Sequence, residues 1–265
     1  MFVVAGATLT IEPGVTVDFN AGEGTTLYVK GTILSLGSAS SPVVFTSSQA
    51  LLGGGVPGQY KGLEVESGNA SSVFSYTGFY YGAKGSGGLY GYGELKIIKG
   101  STVLIEHSTF ENNAYTGVKL SDTSIANVAY SEFTNNGGGL AASTEAVMNV
   151  SHSTITKNTE DGVFWNTLSE KEAGSSFTYN TIAENGNIGV DIVEECKRPV
   201  STFPHGEYNN IYSNGGTKEA DKQVSPLVCK SGPLPVDWEN NYWGSEVYYY
   251  HNSKECGETA TPYPG

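Results

Sequence analysis

The sequence predicts an all-β fold: a single-stranded right-handed parallel β-helix (solenoid) of about 9–10 coils, with long loops and a C-terminal cap. Three observations predict it. First, one phrase returns five times, as HSTFENN at 107–113, YSEFTNN at 130–136, HSTITKN at 152–158, YNTIAEN at 179–185 and YNNIYSN at 208–214. Its last Asn falls at 113, 136, 158, 185 and 214, in steps of 23, 22, 27 and 29 residues. A unit this short and of drifting length suits stacked coils that tolerate loop insertions. Second, an alternating apolar segment precedes the phrase, as GLEV at 62–65, GVKL at 117–120, GLAA at 139–142, GVFW at 162–165 and GVDI at 189–192. Third, 35 glycines accompany only 15% charged residues, as expected of many short strands joined by tight turns.

Alternation assigns the faces of the first strand in each coil. Leu27/Val29, Leu63/Val65, Leu95/Ile97, Val118/Leu120, Leu140/Ala142, Val163/Trp165 and Val190/Ile192 are expected to point inward. Tyr28, Glu64, Lys96, Lys119, Ala141, Phe164 and Asp191 then point outward. Two further apolar columns flank the phrase: Phe74, Ile105, Val128, Val150 and Phe177 before it, and Phe79, Phe110, Phe133, Ile155, Ile182 and Ile211 within it. Each coil therefore has three short strands. Stacking places like over like, so Asn113, Asn136, Asn158, Asn185 and Asn214 are expected to form a hydrogen-bonded ladder. Crossovers between parallel strands are nearly always right-handed, which sets the hand.

One domain covers residues 1–265, with tight N-terminal coils over 1–50, main coils with loop insertions over 51–214, and an irregular last coil and cap over 215–265. Pro13–Gly14 and Pro42 mark corners of the first coils. Met1 opens directly onto strand-like sequence, and the reading is a fragment of a longer chain. Nothing visible covers the edge of the first coil, so end-to-end self-association is a third functional expectation.

The formal net charge is −13, and of fourteen basic residues only Arg198 is Arg. No basic stripe exists to neutralise phosphates, so nucleic acid is excluded as an expected partner. No apolar stretch has membrane-spanning length, so membrane insertion is not expected. Cys196, Cys229 and Cys256 fit no zinc or haem spacing. They are read either as one disulfide with a leftover thiol in an exported protein, with Cys196–Cys229 the expected pair, or as three reduced thiols.

The phrases, the opening ATLTIEPGVTVDF through GTILSLGSASSPVVFTSS, and NNYWG at 240–244 resemble the right-handed parallel β-helix repeats of the pectin-lyase-like superfamily, of bacterial secreted and surface type. The resemblance covers nearly the whole chain, but through structural motifs. It implies an extracellular or cell-surface location and either a polysaccharide-acting enzyme or a non-catalytic surface module. The lyases it includes use an Arg base beside a calcium-binding Asp cluster, a setting Arg198 lacks. Its hydrolases pair adjacent aspartates with a Gly-His-Gly turn, whereas this chain has no Asp-Asp pair and offers only Pro204–His205–Gly206. The Asp-Pro-His-Glu type motif of uronan epimerases is also absent.

The catalytic candidates are Glu64, Glu66, Lys96, Lys119 and Asp191 on the outward face of the first strand column, flanked by Glu94 and Asp122. Carboxylates there would serve as acid and base for glycoside cleavage, and a lysine of lowered pKa would abstract a proton. The plainer reading is an exposed charge ladder. The binding candidates are aromatic: Tyr28, Tyr80, Tyr81, Tyr90, Tyr92 and Phe164, rings suited to sugar faces or a surface protein. Their plainer reading is packing under their own loops. His107 and His152 share a slot with Tyr76, Tyr130, Tyr179 and Tyr208, which marks a stacking column. No cofactor is expected, with calcium at Glu160–Asp161 or Glu194–Glu195 as an alternative. The leading expectation is a non-catalytic extracellular module, a rigid spacer or recognition surface with a role in adhesion. A polysaccharide lyase or glycoside hydrolase is the rival.

Overall fold

In the computed structural model, three parallel sheets form a β-helix, described over residues 1–22, 24–68, 71–85, 92–168, 174–194, 204–215, 224–227 and 240–243. Nine strands stack in the first sheet, beginning with Phe2–Val3, Thr26–Val29, Gly62–Val65 and Gly93–Ile97 and continuing through Thr116–Leu120, Gly138–Ser143, Val163–Leu168 and Val190–Glu194 to Val224–Leu227. The second sheet runs from Thr8–Ile11 to His205–Glu207 and the third from Thr16–Phe19 to Asn210–Tyr212, with eight strands each. Among the described residues eight coils give one strand to each sheet in turn, and Val224–Leu227 begins a ninth. Phe2 is in register with Tyr28 and Gly93 with Thr116, so the first coil takes 26 residues and a middle one 23.

The register follows from apolar alternation. Leu63, Leu95, Val118, Leu140, Val163 and Val190 pair in sequence along the first sheet, all essentially without exposure. In the third sheet Phe45, Phe79, Phe110 and Phe133 stack face to face inside the helix, with ring centroids 5.0, 4.4 and 4.9 Å apart. Offset stacking of this kind adds about 1 kcal/mol per pair to the burial of each ring. Phe74 from the second sheet meets Phe79 edge-on at 5.4 Å and closes the core between the two sheets.

Two left-handed residues bracket the third strand of each middle coil. Tyr76, His107, Tyr130, His152, Tyr179 and Tyr208 have φ between 44° and 58° at one corner, and Asn112, Asn135, Lys157, Glu184 and Ser213 have φ between 53° and 57° at the other. Each costs a non-glycine residue roughly 1–2 kcal/mol. Hydrogen bonds at both corners offset that strain. Asn113 Nδ2 donates to Asn136 Oδ1, Asn136 Nδ2 to Asn158 Oδ1, Asn158 Nδ2 to Asn185 Oδ1 and Asn185 Nδ2 to Asn214 Oδ1, at 2.9, 3.2, 2.9 and 2.8 Å. A second ladder fills the other corner. The backbone nitrogens of Ser108 and Ser131 donate to Ser131 Oγ and Ser153 Oγ, and Ser153, Asn180 and Asn209 continue to Asn180, Asn209 and Asn241. The sequence carried its signal in the Ser or Asn that follows each aromatic residue. Asn241, within NNYWG, is the last rung, and Trp243 packs against the core.

The aromatic slot lies outside the corner. Tyr130, Tyr179 and Tyr208 are 55, 54 and 48% exposed, and the six rings stack at 4.6–5.1 Å from Tyr76 to Tyr208. The four inner rings spend both faces on their neighbours, so their edges and polar atoms are what meets solvent. The cysteines, including Cys196–Cys229, lie outside the described residues, as do Arg198 and Tyr90.

Candidate functional site

The outward row of the first sheet assembles in the expected order. Tyr28, Glu64, Lys96, Lys119, Ala141, Phe164 and Asp191 are successive register partners, with Phe2 ahead of Tyr28. Alternation put them there, because their neighbours along each strand are the buried core residues.

Its charges are engaged with one another. Lys96 Nζ donates to Glu64 Oε2 at 3.0 Å, and Lys99 Nζ donates to Glu66 Oε1 at 2.7 Å. Each pair joins adjacent coils across the sheet. The hydrogen bond from Lys99 holds Glu66 below the usual carboxylate range, and the same bond raises Lys99. A lysine of lowered pKa, as proton abstraction requires, is therefore not what Lys99 provides.

Lys119 departs from the expected exposure. It is 7% exposed and its Nζ donates to Ser143 Oγ at 2.9 Å. Ala141 beside it has no exposure at all. The outward face is thus covered at its middle coils and is not an open groove along its length. Tyr28, Glu64, Lys96, Phe164 and Asp191 are half-buried.

Glu94 is the largest correction. Sequence reasoning placed it beside the exposed charges, but it is fully buried beneath the segment 81–85. Its Oε2 accepts from the backbone nitrogen of Ala83 at 2.8 Å. A methyl group on Gly82 would come within 1.8 Å of that oxygen and 2.7 Å of Tyr60 Cζ, so both side chains lie directly against Gly82. Burial pushes the Glu94 carboxyl up to about 8, against the opposing pull of the Tyr60 hydroxyl and the Ala83 N–H. Burial likewise raises Tyr60, whose ring stacks on Phe19 at 4.3 Å and 2°. Among the described residues neither Glu94 Oε1 nor Tyr60 Oη has a hydrogen-bond partner. Nothing in the local sequence foretold this site, since the covering segment belongs to no repeat.

The aromatic candidates pack onto backbone. The Tyr80 ring lies over Gly78, the Tyr81 ring over Gly55 and the Tyr92 ring over Gly85, where an added methyl would meet ring atoms at 2.4, 2.6 and 2.5 Å. Each ring has one face spent in this way. Tyr92 also meets Tyr115 at 5.7 Å, and burial together with Glu111 and Glu132 raises Tyr80. Tyr28 and Phe164 belong to the strand row, and Phe2 stacks on Tyr28 at 5.0 Å.

Asp161, a calcium candidate, is 2% exposed, and its Oδ1 accepts from Asn187 Nδ2 at 2.7 Å and from the Ile188 nitrogen at 2.9 Å. It ties one coil to the next. Glu195 lies outside the described residues, and of Glu194 the backbone alone is described. Among the described residues no three His, Cys, Asp or Glu side chains cluster as metal ligands do.

The open face of the first coil is a shallow apolar concavity of about 310 Å³, lined by Met1, Leu9, Ile11, Val15, Val17 and Leu27. Met1, which lines it, is 70% exposed.

Compared with known proteins, the chain matches a family model described as "Right handed beta helix region" over residues 14–172 and 97–218. Comparison with curated proteins finds no match. Among solved structures it resembles the periplasmic alginate epimerase AlgG at 13% identity, over 86% of this chain and 72% of that one, with a TM-score of 0.44. A point mutant of the same enzyme gives 13% identity, 90% and 83% coverage and a TM-score of 0.40. Neither likeness bears on substrate or reaction.

Proposed function

The chain belongs to the right-handed β-helix family, and from that premise we propose that it is a non-catalytic module whose outward first-sheet face recognises carbohydrate. The observation that carries the reading is the pairing of Glu64 with Lys96 and of Glu66 with Lys99. The carboxylates best placed for acid–base work are each held by a lysine of the next coil. Lys119 is bonded to Ser143, and Glu94 is sealed in the wall. What remains at the surface is a rigid row of half-exposed rings and paired charges, the chemistry that stacks on and hydrogen-bonds to sugars. Export from the cytoplasm is part of this proposal.

Binding to a panel of polysaccharides, followed by calorimetry, tests it. The double variant Tyr28→Ala with Phe164→Ala is expected to weaken binding by about tenfold or more, the worth of a stacked ring. Unchanged affinity in that variant would remove the recognition face. Sustained release of reducing or unsaturated ends, lost in Lys96→Ala, would replace the reading with an enzymatic one.

A second reading, end-to-end joining of two copies, has the apolar concavity of the first coil in its favour. Among the described residues Phe2–Val3, Thr8–Ile11 and Thr16–Phe19 each end a sheet around it, and such edges template pairing. Sedimentation velocity over a wide concentration range decides this: a concentration-independent monomer removes it.

A further inference from the structure

The whole chain has three Asn-Gly dipeptides, Asn136–Gly137, Asn185–Gly186 and Asn214–Gly215, and all three are ladder rungs. The remaining rungs, Asn113 and Asn158, precede Ala114 and Thr159. In a free chain Asn-Gly is the pair most prone to lose its amide, because glycine has no side chain to keep its nitrogen from the asparagine Cγ. Glycine is nevertheless required at two of the three. A methyl group on Gly186 would come within 2.1 Å of the Thr159 carbonyl oxygen of the preceding coil, and Gly215 has φ of 106°. At 186 and 215 the local backbone thus keeps the very neighbour that makes the ladder amide vulnerable.

The folded ladder blocks the reaction. The would-be attacking nitrogens are committed: Gly137 N donates to Asn113 O at 3.0 Å, Gly186 N to Asn158 O at 2.8 Å and Gly215 N to Asn185 O at 3.0 Å. The amides under attack are held as well. Asn136 Oδ1 accepts from Asn113 N and Nδ2, while its Nδ2 donates to Phe110 O and Asn158 Oδ1. Asn185 repeats this with Asn158, Ile155 and Asn214. All three asparagines are at most 1% exposed.

We infer that Asn136, Asn185 and Asn214 are sites of spontaneous deamidation that open only when their coils come apart, so that the ladder converts coil opening into irreversible loss of the fold. In the opened chain the glycine nitrogen attacks Cγ. The N–Cγ bond forms, the Cγ–Nδ2 bond breaks, and ammonia leaves with the glycine nitrogen's proton. Water then opens the succinimide to aspartate or isoaspartate. At position 136 isoaspartate lengthens the backbone by a methylene, and aspartate sets an oxygen against Phe110 O and Asn158 Oδ1, where the amide had donated. It also brings a charge into a dry corner, and neither loss has local compensation.

The test incubates the full chain at mildly alkaline pH, native and in urea, and maps peptides for the mass gain of amide-to-acid conversion. In urea, positions 136, 185 and 214 are expected to convert well ahead of 113 and 158. In the native chain the same three are expected to convert slower by about a thousandfold or more, the rarity of the opened state. After removal of urea, converted chains are expected in the non-refolding fraction. Equal native and urea rates would overturn the inference, and so would converted chains that refold with unchanged urea midpoints. Because the wild-type chain supplies every readout, a poorly folding Asn136→Asp variant would not obscure the result.

Discussion

Asn136 Oδ1 accepts two hydrogen bonds from Asn113 one coil earlier, 3.0 Å from the backbone nitrogen and 2.9 Å from Nδ2. One side chain thus satisfies the corner of its neighbour, and the same relation repeats to Asn214. Coils are bound to each other at a point where the left-handed backbone leaves polar groups unpaired by any sheet.

Truncating a rung should therefore cost more than one bond. In Asn158→Ala the acceptor for Asn136 N and Nδ2 and the donor to Phe133 O disappear together. Urea unfolding is expected to show a loss of about 3 kcal/mol or more, as buried groups left unsatisfied dictate. Asn180→Ser should cost less than half as much, because Ser108, Ser131 and Ser153 already fill that slot in earlier coils.

Stability should fall as pH rises from the ordinary carboxyl value of 4.5 toward about 8. Over that window folded Glu94 keeps a proton that the unfolded chain has released, so the folded state binds more protons and each pH unit costs at most about 1.4 kcal/mol. Below the window the contribution is fully present, and it is lost by the top of it. Glu94→Gln should flatten the slope in urea midpoints measured from pH 4.5 to 8. An unchanged slope would mean that the carboxyl titrates normally.

The exposed aromatic column predicts an inversion of the usual ranking. Tyr130 stacks between His107 at 5.1 Å and His152 at 4.8 Å while holding φ of 51°. Tyr130→Ala loses both contacts, about 1 kcal/mol each, and keeps the strained backbone. Tyr130→Gly loses the contacts and relieves the strain. Thermal unfolding is expected to find the glycine variant at least as stable as the alanine one.

Replacing Lys96 by Met tests the weight of the outward charges. The pair with Glu64 is partly exposed, so its loss should cost no more than about 1 kcal/mol and shrink further in high salt. A loss several times larger would show that the row is built for more than inter-coil pairing.

Legibility in this chain tracked repetition. Leu63, Leu95 and Val118 could be assigned inward from their spacing alone, and the ladder from Asn113 to Asn214 from its phrase, because each coil recreates the surroundings of the last. His107 and His152 were legible as structural for the same reason: tyrosine alternates with them in one stack. Glu94, Lys119 and Tyr80 were not legible, and all three were expected at the surface or in a binding face.

By itself the sequence determined the coil, its three strands, its inward rows and its polar corners, since parallel stacking at one residue per rung makes local pattern and long-range contact the same information. The tertiary structure alone decided which outward residues stay outward. The segment 81–85 folds back to bury Glu94 and Tyr60 against Gly82, and Tyr80, Tyr81 and Tyr92 settle on Gly78, Gly55 and Gly85. Such excursions occur once each, so no period records where they land. Their contacts arise between segments that pattern does not relate, and burial there was fixed by packing.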